Sequence, residues 1–313
     1  MAVLYIVIPC YNEEAVLPET NSRLVKKLSE LIEKGKCAAE SRILYVDDGS
    51  RDKTWELIAR AHEENPLVCG LKLAHNKGHQ NALLAGLMSA RELCDCTVSM
   101  DADLQDDVEI IEDFMDKYLE GYEVVYGVRS DRKSDTFFKR ATAQGYYKFM
   151  KKLGVDLVFN HADCRLMGSR ALEAMSHYRE TNLFLRGIVP SIGFKSTNIY
   201  YERAERFAGE SKYPLKKMLY FAWDGITSFS VKPLKLITKT GVFFMILSIL
   251  GLIYSLVAKL VGFAPAGIPC VVSTVGFFSS LILIALGVTA SYIGKMYSEV
   301  KDRPRYIIDE FLK

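Results

Sequence analysis

The strongest constraint on this 313-residue chain lies near its end. From Val242 to Ala258 no residue is charged, and after Lys259 a second uncharged run extends from Leu260 to Gly294. A helix needs roughly 20 apolar residues to cross the hydrocarbon of a bilayer, and soluble helices seldom stay uncharged that long because one face meets water. The expectation is two transmembrane helices, about 241–262 and 267–294, joined by Ala264-Pro265-Ala266-Gly267-Ile268-Pro269. Whole-chain averages conceal this: 25% charged residues, a net charge of +2 and a mean hydropathy of +0.07 look like an ordinary soluble protein. They do exclude collagen-like, low-complexity and disordered classes. The small net charge argues against a nucleic-acid partner. The seven cysteines form no CxxC pair or zinc spacing, which suits a reducing compartment. Met1 to Pro9 lacks a basic leader and meets Asn12, Glu13 and Glu14 at once, so no signal peptide is expected and the polar part belongs in the cytoplasm.

Ahead of the apolar runs, short aliphatic segments alternate with amphipathic ones. Leu4 to Ile8, Ile43 to Val46, Val68 to Leu73, Thr97 to Met100 and Val124 to Gly127 read as buried strands. Glu14 to Ile32, Thr54 to Glu63, Gln80 to Arg91 and Val108 to Leu119 have helical period, the second with Asp52 or Thr54 as cap. This alternation predicts an α/β fold, a mainly parallel Rossmann-like sheet with helices on both faces and ligands at the carboxyl ends of its strands.

Those ends are polar. The first strand runs into Pro9-Cys10-Tyr11-Asn12-Glu13-Glu14, the second into Asp47-Asp48-Gly49-Ser50, and the fourth into Asp101-Ala102-Asp103-Leu104-Gln105-Asp106-Asp107. Singly, each also reads as a cap or turn formed for backbone reasons. Crowded carboxylates need an offset, and a divalent cation at Asp101 and Asp103 supplies one, with phosphate oxygens and water completing its shell. Asp106 and Asp107 read mainly as first-turn helix residues.

These segments, with Asp52 and Thr54, resemble glycosyltransferase family 2, and within it the polyprenyl-phosphate sugar transferases, namely dolichyl-phosphate mannose synthases and bacterial bactoprenol glucosyltransferases. The resemblance runs from residue 4 to about 235. It implies a GT-A fold, a nucleotide-sugar donor and Mg²⁺ or Mn²⁺ at Asp101 and Asp103, which are then catalytic together with Asp163 and Arg165. Pro9, Tyr11 and Glu13 match the family's nucleotide-contacting segment. Asp47 or Asp48 matches its base and ribose contact, and Gln105 a position beside the diphosphate. Asn76-Lys77-Gly78-His79-Gln80-Asn81-Ala82 resembles the loop and helix start that close over the nucleotide, where Lys77 is a binding candidate and His79 reads equally as a first-turn residue.

Between Arg129 and Lys152, eight basic residues face two acidic ones, interleaved with Phe137, Phe138, Tyr146, Tyr147 and Phe149. Basic groups with aromatic companions suit an anionic membrane surface or a phosphorylated lipid head group. By resemblance Arg129 and Lys139, with Arg140 adjacent, hold the acceptor phosphate, although Ala143 stands where the family has a serine. Asp163-Cys164-Arg165-Leu166-Met167 resembles a Ser-Asp-Phe-Arg-Leu segment near the sugar, with a structural ion pair as the alternative. Arg206 and Gly209-Glu210-Ser211-Lys212-Tyr213 match an acceptor-side loop in which Arg206 and Lys212 close on phosphate.

The expected organisation is a GT-A domain at 1–210, an amphipathic interfacial segment at 211–240, the hairpin at 241–295 and a cytoplasmic tail at 296–313. Lysines flank the hairpin on the domain side, and Lys301, Arg303 and Arg305 follow it, so both ends belong in the cytoplasm of a multi-pass plasma-membrane protein. The implied activity is inverting transfer from UDP-glucose or UDP-N-acetylglucosamine to undecaprenyl phosphate for modification of a cell-envelope glycan. Its partners are then the membrane, a flippase, a downstream transferase and a further copy of the chain, with Gly276, Ser279, Ser280, Ala285 and Gly287 packing helices either within the protomer or between protomers. The alternatives are a processive or protein-directed family 2 transferase, which lacks support from any Gln-x-x-Arg-Trp segment, and a non-catalytic membrane scaffold, against which Asp101 and Asp103 stand.

Overall fold

The computed structural model describes residues 1–129, 161–180, 185–202 and 268–313, and single positions and short stretches between 234 and 261. Strand β1 (Leu4–Cys10) is buried at every position, as a central strand covered on both faces must be. It pairs in parallel with β2 (Arg42–Asp47) on one side and β4 (Cys96–Ser99) on the other, and β3 (Val68–Leu73) continues in parallel beyond β2. The chain therefore turns in opposite directions on either side of β1. The switch point lies between β1 and β4, and at the carboxyl ends of such strands an open α/β sheet collects its ligands in a crevice.

Helices α1 (Leu17–Glu33), α2 (Thr54–Glu64), α3 (His79–Ala90) and α4 (Ile110–Leu119) cover the sheet close to where the periodicity predicts them. Along α1 the buried Leu17, Thr20, Leu24, Leu28 and Leu31 follow helical spacing. Each fully buried leucine of this kind contributes roughly 1.5–3 kcal/mol. Lys27 on the same face is 2% exposed because it meets Glu109 at 2.6 Å and Glu112 at 3.0 Å, which ties α1 to the start of α4. Helix α3 lies so close to the sheet that a Cβ on Gly86 would come within 2.4 Å of Val7 and 2.7 Å of Val46. Two helix starts differ from expectation. Helix α1 begins at Leu17, three residues late, because Asn12 to Glu14 are engaged with the loop after β2. Helix α4 begins at Ile110, since Asp107 turns its carboxylate onto the Glu109 amide; Asp106 and Asp107 therefore precede the helix.

The sheet is wider than the apolar runs suggest. After β5 (Val124–Arg129), strand β6 (His161–Gly168) runs antiparallel between β4 and β5, followed by α5 (Ser169–Ser176), α6 (Leu185–Ser191) and β7 (Ser196–Tyr201), which is parallel to β5. Strand β8 (Ile308–Leu312), from the segment expected as a tail, lies antiparallel on the edge of β3. The order is β7-β5-β6-β4-β1-β2-β3-β8, mostly parallel. Cys10, Cys37, Cys69, Cys94, Cys96 and Cys164 are free.

The described residues fall into two compact units: one is the sheet with its helices and Arg303–Lys313, the other the described residues from 234 to Asp302. In the second, α7 (Ile268–Val300) contains Phe277–Val300, 24 residues of mean hydropathy 1.8, and among the described residues no other helix is long and apolar enough to cross a membrane. At 1.5 Å per residue this stretch is about 36 Å long, against about 30 Å of hydrocarbon. Ile282, Leu283 and Ile284 are all exposed on it. Helical residues 236–244 meet α7 through Phe244, whose ring packs edge-on against Phe277 at 5.3 Å and Phe278 at 5.8 Å. The expected interfacial segment 211–240 is described only at Leu234 and at 236–240.

Candidate active site

The ends of β1, β2, β3, β4, β5 and β7 share one edge of the sheet, and the antiparallel β6 and β8 start there. The polar segments singled out in the sequence therefore converge. The loops after β1 and β2 are stitched together: the Asn12 amide donates to Ser50 Oγ, the Arg51 amide to Asn12 Oδ1, the Glu13 amide to Thr54 Oγ1 and the Glu14 amide to Asp52. Asn12 takes a left-handed φ of 56° to make this turn, and Tyr11 beside it is exposed. Pro9 lies within β1 opposite Val46.

Asp47 and Asp48 are buried. Asp47 accepts the Ser50 amide on both carboxylate oxygens, and Asp48 accepts the Lys77 amide at 2.7 Å and the Gly78 amide at 2.8 Å. Burial pushes both carboxyls up and these amides hold them part of the way down. Neither side chain reaches open solvent; what each does visibly is shape a loop. Asp48 draws the β3–α3 loop against the β2 loop so tightly that a Cβ on Gly49, whose φ is +65°, would come within 2.7 Å of the Asn76 amide nitrogen.

Across the crevice, Asp101 and Asp103 leave β4 half-exposed. The turn that carries them is held by buried Thr20, which donates to the Ala102 carbonyl at 2.8 Å, and by Asp103 accepting the Gln105 amide. Gln105 itself is 8% exposed. His79, the first residue of α3, places Nε2 2.9 Å from Asp101 Oδ1. Burial pulls its imidazole down, but the Asp101 carboxylate, and beyond it Asp163, raise it above the usual value. Among the described residues no three His, Cys, Asp or Glu side chains gather as a metal site. Two half-exposed carboxylates one residue apart are nevertheless a fitting hard-oxygen donor set for Mg²⁺ or Mn²⁺, ions that keep several positions for water and substrate phosphate.

Asp163 enters from the start of strand β6, its carbonyl accepting from Ser99 Oγ of β4 at 2.6 Å. Its carboxylate lies between two guanidinium groups. Arg165, 1% exposed, donates to Oδ1 at 3.1 Å and to the Leu185 carbonyl from below. Arg186 of α6 donates in a fork, Nε to Oδ1 at 3.0 Å and Nη2 to Oδ2 at 2.9 Å. Burial works against the charged carboxylate, but the Arg186 fork and then Arg165 outweigh it and hold Asp163 well below the usual range. Nothing in the sequence motifs points to Arg186; its one signal is a lone charge in the apolar stretch Asn182-Leu183-Phe184-Leu185-Arg186-Gly187. Helix α6 is pinned in turn to α3, since the Leu185 amide donates to Gln80 Oε1.

Arg129 ends β5 opposite Tyr201, the last residue of β7. Tyr201 donates its hydroxyl to buried Asp106 at 2.5 Å and so ties the end of β7 to the turn bearing Asp101 and Asp103. Lys139, Arg140, Arg206 and Lys212 lie outside the described residues.

Residues 5–175, spanning β1 to α5, match the sequence profile of glycosyl transferase family 2. The chain belongs to this family. It is a glycosyltransferase with the family's GT-A architecture, as the resemblance implies. It is 54% identical over 307 residues to the uncharacterized glycosyltransferase YkoT of Bacillus subtilis, covering 98% of this chain and 91% of that one. It is 36% identical over 305 residues to the SfII prophage-derived bactoprenol glucosyl transferase of Shigella flexneri, covering 97% and 96%. Among solved structures, glucosyl-3-phosphoglycerate synthase from Mycobacterium tuberculosis in complex with Mn²⁺, UDP-glucose and phosphoglyceric acid is similar over 73% of this chain and 78% of that one, at 16% identity and a TM-score of 0.45.

Proposed function

We propose that this chain transfers a hexose from a nucleotide sugar, UDP-glucose or UDP-N-acetylglucosamine, to a polyprenyl phosphate in the membrane, with inversion at the anomeric carbon. The observation that carries the reading is the state of Asp163. A sugar or protein hydroxyl acceptor needs a base to take its proton. Asp163, held between two guanidinium groups and well below the usual carboxylate range, is a poor base. A lipid phosphate needs none, being ionised already at neutral pH. The name of the Shigella relative, which covers nearly the full length, supports the same acceptor class.

In this reading Tyr11, Glu13 and Lys77 line the nucleotide, Asp47 and Asp48 shape the loops around its base, and Gln105 stands beside the diphosphate. Asp101 and Asp103 would hold a divalent cation, which would supply positive charge to offset the charge that develops on the departing diphosphate. An oxygen of the lipid phosphate attacks the anomeric carbon while the bond to the diphosphate breaks and its electron pair departs with the nucleoside diphosphate. Arg129, with Lys139, Arg140, Arg206 and Lys212 from the acceptor segments, orients the attacking phosphate and screens its charge from the donor's. Asp163 faces the sugar, and Arg165 and Arg186 hold it there.

A membrane-borne acceptor gives the apolar segments their purpose. Because β8 belongs to the same sheet as β1, whatever part of the chain between 202 and 303 enters the membrane must return to its starting side. An even number of crossings supports the hairpin reading, as does the packing of Phe244 on Phe277 and Phe278. The sheet domain then lies on the cytoplasmic side, and a flippase and a second transferase must act on the product. The test is purified protein with undecaprenyl phosphate and labelled UDP-glucose, UDP-N-acetylglucosamine or GDP-mannose, with and without Mg²⁺ or Mn²⁺. A metal-dependent lipid-linked sugar is expected from one UDP-sugar, and its absence with every donor would sink the reading.

A further inference from the structure

Strand β8 does more than cover an edge. Because it runs antiparallel to β3, it enters the sheet at the carboxyl end of β3, on the rim of the site, and leaves toward the far end. The residues leading into it are fastened to the same domain, and the last of them to that rim. Arg305 donates to the Tyr178 carbonyl at 3.0 Å, Tyr306 is half-buried near Arg91, and the Ile307 carbonyl accepts the Ala74 amide at 2.9 Å. Ala74 is the first residue after β3, and three residues on are the Lys77 and Gly78 amides that grip Asp48.

The strand itself is secured at several points. Lys72 meets Asp309 at 3.1 Å, and Leu312 packs over Gly70 beside Trp55. A register shift between Lys72 and Leu73 lets the chain bend as it passes from Ile307 into β8. One continuous segment thus fixes the start of the β3–α3 loop, whose other end is fixed by Asp48. Between these ties His75 and Asn76 are exposed and only their backbone is seen against Gly49, so the loop's shape depends on the ties at its ends together with that one contact.

We propose that residues 305–312 are a positioning element of the donor site: they hold the β3–α3 loop, and through it Asp48, in the shape that receives the nucleotide. This rests on the nucleotide-sugar reading above. The segment also follows closely on α7, which ends at Val300 and is succeeded by a turn in which Asp302 has a left-handed φ of 45°. The stretch of chain that follows the apolar helix is therefore a working part of the donor half.

The experiment uses the full chain in detergent, compared with a variant lacking residues 308–313 and a variant with one glycine inserted between Ile307 and Ile308. The insertion leaves β8 able to pair while displacing the Ile307 carbonyl from Ala74. Three quantities are read: amide exchange at Ala74, Lys77 and Gly78 without ligand, affinity for UDP, and KM against kcat for the turned-over donor and for undecaprenyl phosphate. Both variants should exchange faster at these amides and bind UDP about tenfold more weakly, the loss expected when two ordinary hydrogen bonds are no longer pre-formed. The donor KM should rise in step, with kcat and the lipid KM unchanged. Unchanged exchange and unchanged UDP affinity in both variants would overturn the proposal. So would equal losses in kcat and in both KM values, the mark of general unfolding. If the deletion alone unfolds the domain, the insertion decides. If the wild type binds no nucleotide, the functional reading fails, and the exchange measurement alone decides whether the segment holds the loop.

Discussion

Arg186→Ala removes the fork on Asp163 while leaving buried Arg165 in place, one contact at 3.1 Å where there were three. A hydrogen bond to a charged group contributes about 1.5–3 kcal/mol. Arg186 is 39% exposed at its side chain, and water screens such a group, so the pair is placed at the low end, about 1–2 kcal/mol. If Asp163 must be held in position for transfer, kcat should fall roughly 5- to 30-fold. The pH dependence follows from the direction of the shift. Asp163 is depressed in the folded wild type, so its ionised form, and the stability that form contributes, persist until the pH falls well below the ordinary carboxylate range. Without Arg186 the carboxyl moves back up, and activity should begin to fail as the pH drops through about 5 to 4. The assay is formation of lipid-linked sugar from the donor that the wild type uses, between pH 3.5 and 8, with a melting curve at each pH. Arg186→Lys, which keeps the charge but cannot fork, should lie between wild type and alanine. Wild-type kcat and an unmoved acid limb in Arg186→Ala would refute the reasoning.

Other substitutions test other links. Asp101→Asn and Asp103→Asn should each cost about 10²–10³ in kcat, the range seen when a group stabilising transition-state charge is lost, with melting temperature kept or slightly raised as carboxylate crowding is relieved. Calorimetry should show that their UDP affinity no longer responds to Mg²⁺ or Mn²⁺. Gly86→Leu should overpack α3 against Val7 and Val46 and cost about 1–3 kcal/mol in denaturant titration. Lys34, Lys27 and Lys36 draw the Glu112 carboxyl down to about 2, so this network stabilises the fold fully above the ordinary glutamate range and loses its contribution as the pH falls toward 2. Glu112→Gln should accordingly lower the melting temperature at pH 7 and lower it much less at pH 2.5.

What the sequence makes legible is set by burial. Strands β1 to β4 are buried at nearly every position and are built mostly from apolar or small side chains, so they and the helices between them are found within a few residues. Strand β6 is hidden because its register carries Asp163 and Arg165, an ion pair in the place of an apolar run. Strand β8 is five residues long with two acids, as an edge strand tolerates, and resembles a tail. The loop carboxylates show the opposite case. Asp47 and Asp48 stand where the motif has them, but the structure gives their oxygens to backbone amides, a role no spacing reveals. Arg186 enters through α6, far from Asp163 in sequence and joined to it by the fold alone.

The central claim is that the ionised phosphate of the acceptor makes a catalytic base unnecessary. Its most direct test offers the purified enzyme undecaprenyl phosphate and undecaprenol side by side, with the same donor, metal and detergent. Transfer to the phosphate and none to the alcohol at any pH up to 9 is the predicted result. Transfer to the alcohol at a comparable rate would contradict it, because a hydroxyl acceptor would then be finding a base that the locked Asp163 does not supply.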